Sequence, residues 1–210
     1  MLTEFPPDYD DETVYTRSGN CEVYRNRGWC FCESSWAQLV KPSRIVWDLA
    51  KLGEVQRNDI RPLMSSRIPP VLPDNFTEQL ELKGFTNGST DRPLVAGLYR
   101  DAFEQRFAKA EELDFGVLEW GDTEAQALAE VLGSGVVPRL RSLDLGSNKK
   151  IGCEGVAALA RALPQLPALE EINLYDNSIG DAGVQALAGV LSSDAAPRLR
   201  VLDLGCNSAF

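Results

Sequence analysis

Leu140-x-x-Leu143-x-Leu145-x-x-Asn148 recurs as Leu169-x-x-Ile172-x-Leu174-x-x-Asn177 and again as Leu199-x-x-Leu202-x-Leu204-x-x-Asn207, at spacings of 29 and 30 residues. Apolar residues alternate with polar ones in each copy, the pattern of a short strand with one buried face. Between the copies, Ile151-Gly152-x-x-Gly155-x-x-x-Leu159-Ala160-x-x-Leu163 is matched by Ile179-Gly180-x-x-Gly183-x-x-x-Leu187-Ala188-x-x-Leu191, with apolar positions at helical spacing. Trp120-Gly121-x-x-Glu124-x-x-x-Leu128-Ala129-x-x-Leu132 fits the same template upstream. Leu113-Asp114-Phe115 then becomes a degenerate first strand, with Leu118 at the Asn position. The array predicts about four strands and three helices. Pro138, Pro167 and Pro197 each stand two residues before the next strand motif, where proline ends the returning loop.

One unit cannot bury its own apolar surface. Inward Leu and Ile of a strand must meet the helix face carrying Leu159 and Leu163, or Leu187 and Leu191, of stacked neighbours. Asn148, Asn177 and Asn207 fall where the backbone leaves the strand, and a buried amide there can both donate and accept. These residues resemble leucine-rich repeats of the ribonuclease-inhibitor-like class, the long-helix type also found in NOD-like receptors. The resemblance covers 110–210. It implies an α/β fold, a short right-handed solenoid with parallel strands on the concave side and helices on the convex side. It implies a binding surface and names no partner.

Composition narrows the function. The chain has 210 residues, 44% hydrophobic and 25% charged, with no apolar run near the length that a membrane helix needs. Its first residues, Met1-Leu2-Thr3-Glu4-Phe5-Pro6-Pro7-Asp8, lack the basic and apolar order of a secretory signal, so a cytoplasmic location is expected. Five cysteines, an odd and scattered set, fit a reducing compartment. A net charge of -10 without a Lys/Arg cluster argues against nucleic acid and for a basic protein partner. The absence of histidine excludes Ser-His and Cys-His catalysis. Cys21, Cys30 and Cys32 lack a fourth ligand, so neither a metal nor another cofactor is expected.

The amino-terminal half is different. Residues 1–20 are an acidic, turn-rich lead-in, and 21–109 are read as a small α+β region that caps the solenoid. Trp29, Trp36, Leu39 and Val40 fit one helical face, and Ser43-Arg44-Ile45-Val46-Trp47-Asp48-Leu49 reads as a strand. Asp74 is expected to cap a helix running to Leu82. Ser89 or Thr90 is expected to cap a longer one, with Pro93 in its first turn and Leu94, Leu98, Phe103 and Phe107 along it.

Tyr24-x-x-x-Gly28-Trp29-Cys30-x-x-Glu33 resembles the Tyr-x-x-Ser-x-Trp-Cys-x-x-Glu box of Toll/interleukin-receptor domains. By that resemblance Glu33 is a candidate catalytic residue, supporting glycosidic cleavage of NAD, with Gly28 standing where the box has serine. The alternative function is therefore a degenerate NAD hydrolase centred on Glu33. This half also resembles leucine-rich-repeat proteins of unicellular algae and other protists, in which an Arg-Gly-Trp-Cys box precedes a Phe-Thr-Asn-Gly segment, here Phe85-Thr86-Asn87-Gly88. That likeness brings no activity.

Strand residues between the buried Leu positions point to the concave face. Across four strands the central column is Asp114, Asp144, Asn173 and Asp203, a row of three carboxylates and an amide that favours a cationic partner. The column Glu111, Arg141, Glu170 and Arg200 alternates in sign. A further column, Gly116, Gly146, Tyr175 and Gly205, offers Tyr175 as an aromatic anchor, with Asp176 beside it. A solvated strand face is the competing reading of the same acids. Finally, the last strand motif has no helix after it, so either the chain is a truncated product or a fragment, or something covers that end, such as another subunit in a self-association.

Overall fold

The computed structural model describes residues 26–37, 67–193 and 195–207, with the single positions or short runs 39, 41, 53–55, 59 and 63. The lead-in at 1–20, Cys21 and the strand expected over 43–49 lie outside the described residues. Among the described residues six α-helices follow in order: α1 (Gly28–Ala37), α2 (Pro73–Glu81), α3 (Gly88–Phe107), α4 (Asp122–Gly133), α5 (Cys153–Ala162) and α6 (Asp181–Leu191). Four three-residue strands, β1 (Glu112–Asp114), β2 (Ser142–Asp144), β3 (Glu171–Asn173) and β4 (Val201–Asp203), form one parallel sheet in the order β1-β2-β3-β4. Each strand leads to the next through a helix, as the repeat requires. Leu113, Leu143, Ile172 and Leu202 pair in register across all four strands, so the motif positions stack as the sequence predicts.

The interior is continuous. Leu143 and Leu145 of one repeat, Ile172 and Leu174 of the next, and Leu128, Leu159 and Leu187 of the helices belong to one buried apolar cluster. The asparagines bind the turns together from inside it. Asn148, fully buried, accepts from the Leu118 and Trp120 amides at 2.9 and 3.1 Å and donates to the Phe115 and Leu145 carbonyls at 2.8 and 2.9 Å. Its own amide donates to Asn177 Oδ1 at 3.0 Å, and Asn207 Oδ1 accepts from Ile179 in turn. Backbone groups left over where a strand ends thus find an asparagine amide from their own repeat or the following one.

Neighbouring helices are joined by a similar loan. Helix α5 begins after Gly152, which has no side chain to cap it. Asp122, the first residue of α4, supplies the acceptor instead, taking the Gly152 and Gly155 amides on Oδ1 at 2.7 and 2.9 Å. A side chain at Gly155 would lie 2.7 Å from that oxygen and 2.9 Å from Ala125 Cβ, so glycine sets the close approach of the two helices.

Upstream, α1, α2 and α3 pack through stacked rings. Phe76 lies between Phe31 at 5.0 Å and Tyr99 at 3.7 Å, and Phe103 stacks on Phe107 at 4.5 Å. Tyr99 donates its hydroxyl to the Val71 carbonyl at 2.8 Å, and its burial pushes the phenol pKa well up. Several expectations are corrected here. The buried stripe of α3 is Val95, Tyr99, Phe103 and Phe107, while Leu94 is exposed, because the i, i+4 row that reaches Phe76 is displaced by one residue. Pro73, not Asp74, opens α2; no side chain caps it, and the Asp74 carboxylate pairs with Arg100 at 2.9 Å. Helix α3 starts at Gly88, ahead of Ser89 and Thr90, which places Pro93 beyond its first turn. On α1 the buried positions are Gly28, Cys32 and Ser35, whereas Trp29 and Trp36 are 41% and 38% exposed.

The border of β1 has its own solution. Within the sheet, the carbonyls of Asp144, Asn173 and Asp203 accept from the amides of Phe115, Leu145 and Leu174 at 2.8 to 2.9 Å. The corresponding carbonyl of Asp114 accepts from Arg67 Nη1 at 3.1 Å. Arg67 is 3% exposed, its guanidinium 4.5 Å from the Phe115 ring centre, and its carbonyl takes the Trp120 indole N–H at 2.8 Å. Burial lowers its pKa to about 10, against the opposing pull of Asp114. Among the described residues no strand pairs with this border of β1, and a side chain takes the place of one.

Candidate functional site on the open face of the sheet

Side chains alternate along a strand, so residues flanking the buried Leu113, Leu143, Ile172 and Leu202 stand on the face away from the core. Strand register assembles them into columns. The first is Glu112, Ser142, Glu171 and Val201; the second is Asp114, Asp144, Asn173 and Asp203. Together they hold five carboxylates and no cation. The second column is the one expected from sequence. The first was missed in favour of Glu111, Arg141, Glu170 and Arg200, one residue further out, although counting back two from Asp144 would have found it. Arg141 Nε does approach Glu111 Oε2, at 3.9 Å with both side chains more than half exposed, a pairing of little energetic weight.

The acids of the second column have a local duty as well. Oδ1 of Asp114, Asp144, Asn173 and Asp203 each accepts the amide two residues on, from Gly116, Gly146, Tyr175 and Gly205, at 3.2, 2.8, 2.9 and 2.9 Å. These are Asx turns, which bend the chain out of each strand. Asp144 Oδ1 also accepts from Asn173 Nδ2 at 3.0 Å. One oxygen of each carboxylate is therefore tied to the fold; the charges of Asp144 and Asp203 are still displayed, while that of Asp114 acts on Arg67.

Tyr175 stands at the end of this surface, 43% exposed. Its ring rests against Gly205, where a Cβ would come within 3.0 Å of Cδ2, so the neighbouring glycine is the shelf that sets its pose. Tyr175 Oη and Cys206 Sγ share a hydrogen bond of 3.0 Å. That bond, with the Asp176 and Asp203 charges adding, keeps the phenol neutral above its ordinary range. Asp176 is half-buried in the left-handed region at φ 53°, with Lys149 Nζ at 3.6 Å.

Glu33 is exposed on α1, and its box has a packing explanation. Gly28 accommodates the Phe85 ring, which a Cβ would meet at 1.8 Å, and its amide donates to the Gly84 carbonyl at 2.9 Å. Trp29 Nε1 reaches Asp91 Oδ2 at 3.3 Å. The two amino-terminal motifs thus pack on each other, and the NAD-cleaving alternative is not favoured. Cys32 faces inward; burial, with Glu33 adding, pushes its thiol from 9.0 up to about 11. Among the described residues no three Cys, Asp or Glu side chains are placed to hold a metal ion, and no helix is long and apolar enough to cross a membrane.

A parallel sheet with one short strand per unit, an Asn ladder behind it and a helix between strands is the architecture of leucine-rich repeats. Repeats of this kind commonly present a surface for protein interaction. The chain matches the family described as Leucine Rich repeat at residues 139–160 and 165–188. Over 62 residues it is 45% identical to the Tonsoku-like protein of Danio rerio, a match covering 27% of this chain and 4% of that protein. The chain therefore spans a small fraction of that relative's length.

Proposed function

We propose that the open face of the sheet, the concave side of a right-handed solenoid of the ribonuclease-inhibitor-like type, binds a basic protein partner. What carries this reading is the pair of outward columns: Glu112, Asp114, Asp144, Glu171 and Asp203 in register, with no cation among them and Tyr175 at the rim. Strands spaced at about 4.8 Å hold these charges close enough to repel, and a cationic segment laid across them relieves that repulsion. Tyr175 adds a rigid amphipathic anchor. In the same reading the region 21–109 caps the first repeat through Arg67 and α3, and 110–210 form the repeat domain. The protein works in the cytoplasm, without nucleic acid, membrane or cofactor. Self-association through the β4 border belongs to it too, supported by the partly exposed Leu199, Leu202 and Leu204.

Glu171→Lys is the discriminating variant, because Glu171 is exposed and its side chain holds no Asx turn, whereas Asp144→Lys also removes an acceptor from Gly146. Titration with a lysine-rich peptide is expected to show roughly a fivefold or greater loss for Glu171→Lys, steepest at low salt, and a comparable loss for Tyr175→Ala. Unchanged affinity in both folded variants would overturn the reading.

A further inference from the structure

The second repeat departs from its neighbours at one point. Between the ladder residue and the following buried residue, Asn177-Ser178-Ile179 and Leu118-Glu119-Trp120 have one intervening position; Asn148-Lys149-Lys150-Ile151 has two. The insertion sets Lys149 and Lys150 side by side, each with its side chain 71% exposed. Both line a cavity of about 640 Å³ together with Glu119, Ser147, Asp176 and, from outside the repeats, Asp59. Val117 adds an apolar patch. Insertions in arrays of this kind map to loops on one face, often the one that binds.

Position ties the cavity to the open face. Val117, Ser147 and Asp176 follow directly on Gly116, Gly146 and Tyr175, so the cavity continues that surface past the carboxyl ends of the strands, where parallel sheets commonly receive ligands. Its volume falls in the usual range for a binding site, roughly 300 to 1,000 Å³.

Charge then narrows the occupant. Lys149 Nζ stands 3.6 Å from Asp176 Oδ1 and Lys150 Nζ 3.9 Å from Glu119 Oε2. A committed charge-assisted hydrogen bond is nearer about 2.8 Å, so these pairs are loose and each ammonium keeps donors to spare. A lone anion entering here meets the Glu119 and Asp176 carboxylates, and a lone cation meets two ammonium groups. An acidic residue adjacent to a basic one meets neither obstacle. Its carboxylate takes the lysines, its cation takes the carboxylates they release, and no charge is left bare.

We propose that this cavity binds a mixed-charge stretch of the partner chain, an acidic residue beside a basic one, contiguous with the cationic stretch on the open face. The inference rests on the reading of that face and adds to it a second, sequence-selective contact. Two synthetic peptides of equal length and equal lysine content test it on the full chain by fluorescence anisotropy: one of lysine and glycine, the other with glutamates replacing the glycines at one end. The glutamate peptide is expected to bind roughly fivefold tighter at low salt despite its lower net charge. Lys149→Ala/Lys150→Ala is expected to abolish that preference without weakening the lysine-glycine peptide and without shifting the melting temperature. Equal affinity for the two peptides, or a preference that survives the double variant, overturns the proposal. Loss of binding to the lysine-glycine peptide in Glu171→Lys reports separately on the open face.

Discussion

Gly28 illustrates how one position can mislead as sequence and explain itself as structure. The box it sits in resembles one with serine there, yet a Cβ at Gly28 would fall 1.8 Å from Phe85 Cζ. Restoring the likeness should therefore damage the protein. Gly28→Ser is expected to cost about 1–3 kcal/mol by overpacking, read as a lowered urea midpoint with unchanged slope; a midpoint equal to wild type would show that the ring simply moves aside. Residues whose roles are local or periodic were legible beforehand. Asn148, Asn177 and Asn207 are buried donors and acceptors as their spacing required, and Asp114, Asp144, Asn173 and Asp203 share a column. Gly28 was not legible, because its partner Phe85 is distant in sequence and nothing in either motif announces the contact. The Asx turns escaped notice for another reason: the same Asp that reads as a displayed charge also reads as a turn former, and only coordinates show that it is both.

At the scale of elements, periodicity served well where the period repeats and poorly where it does not. Helices α4, α5 and α6 stand where three superimposable copies placed them. In α3, Leu94 and Val95 lie next to each other at equally plausible core positions, and the choice falls to the stripe that brings Tyr99 onto Phe76. Caps were the least readable feature, since the acceptor for α5 comes from another helix. Asp122→Ala removes it and should cost about 1–2 kcal/mol, the usual range for a lost helix cap. Faster amide exchange at Gly152 and Gly155, with α4 itself still protected, is the expected signature; unchanged exchange there would show that the borrowed acceptor carries no weight.

For the molecule as a whole, stability is a matter of neighbours. The ladder links Leu118 to Asn148, Asn148 to Asn177 and Ile179 to Asn207, so each repeat is held by the one after it. Among the described residues no strand pairs with the outer border of β4, and Val201 there is 49% exposed. If that border mediates self-association, sedimentation velocity should show a monomer giving way to a dimer as concentration rises; a monomer at every concentration would remove this part of the reading. Arg67 occupies the opposite border of the sheet. Its guanidinium already occupies the Asp114 carbonyl, the backbone group that an incoming strand at β1 would have to claim. An edge strand approaching β1 would have to displace a buried guanidinium stacked on Phe115, so that border of the described sheet is guarded against edge-to-edge pairing.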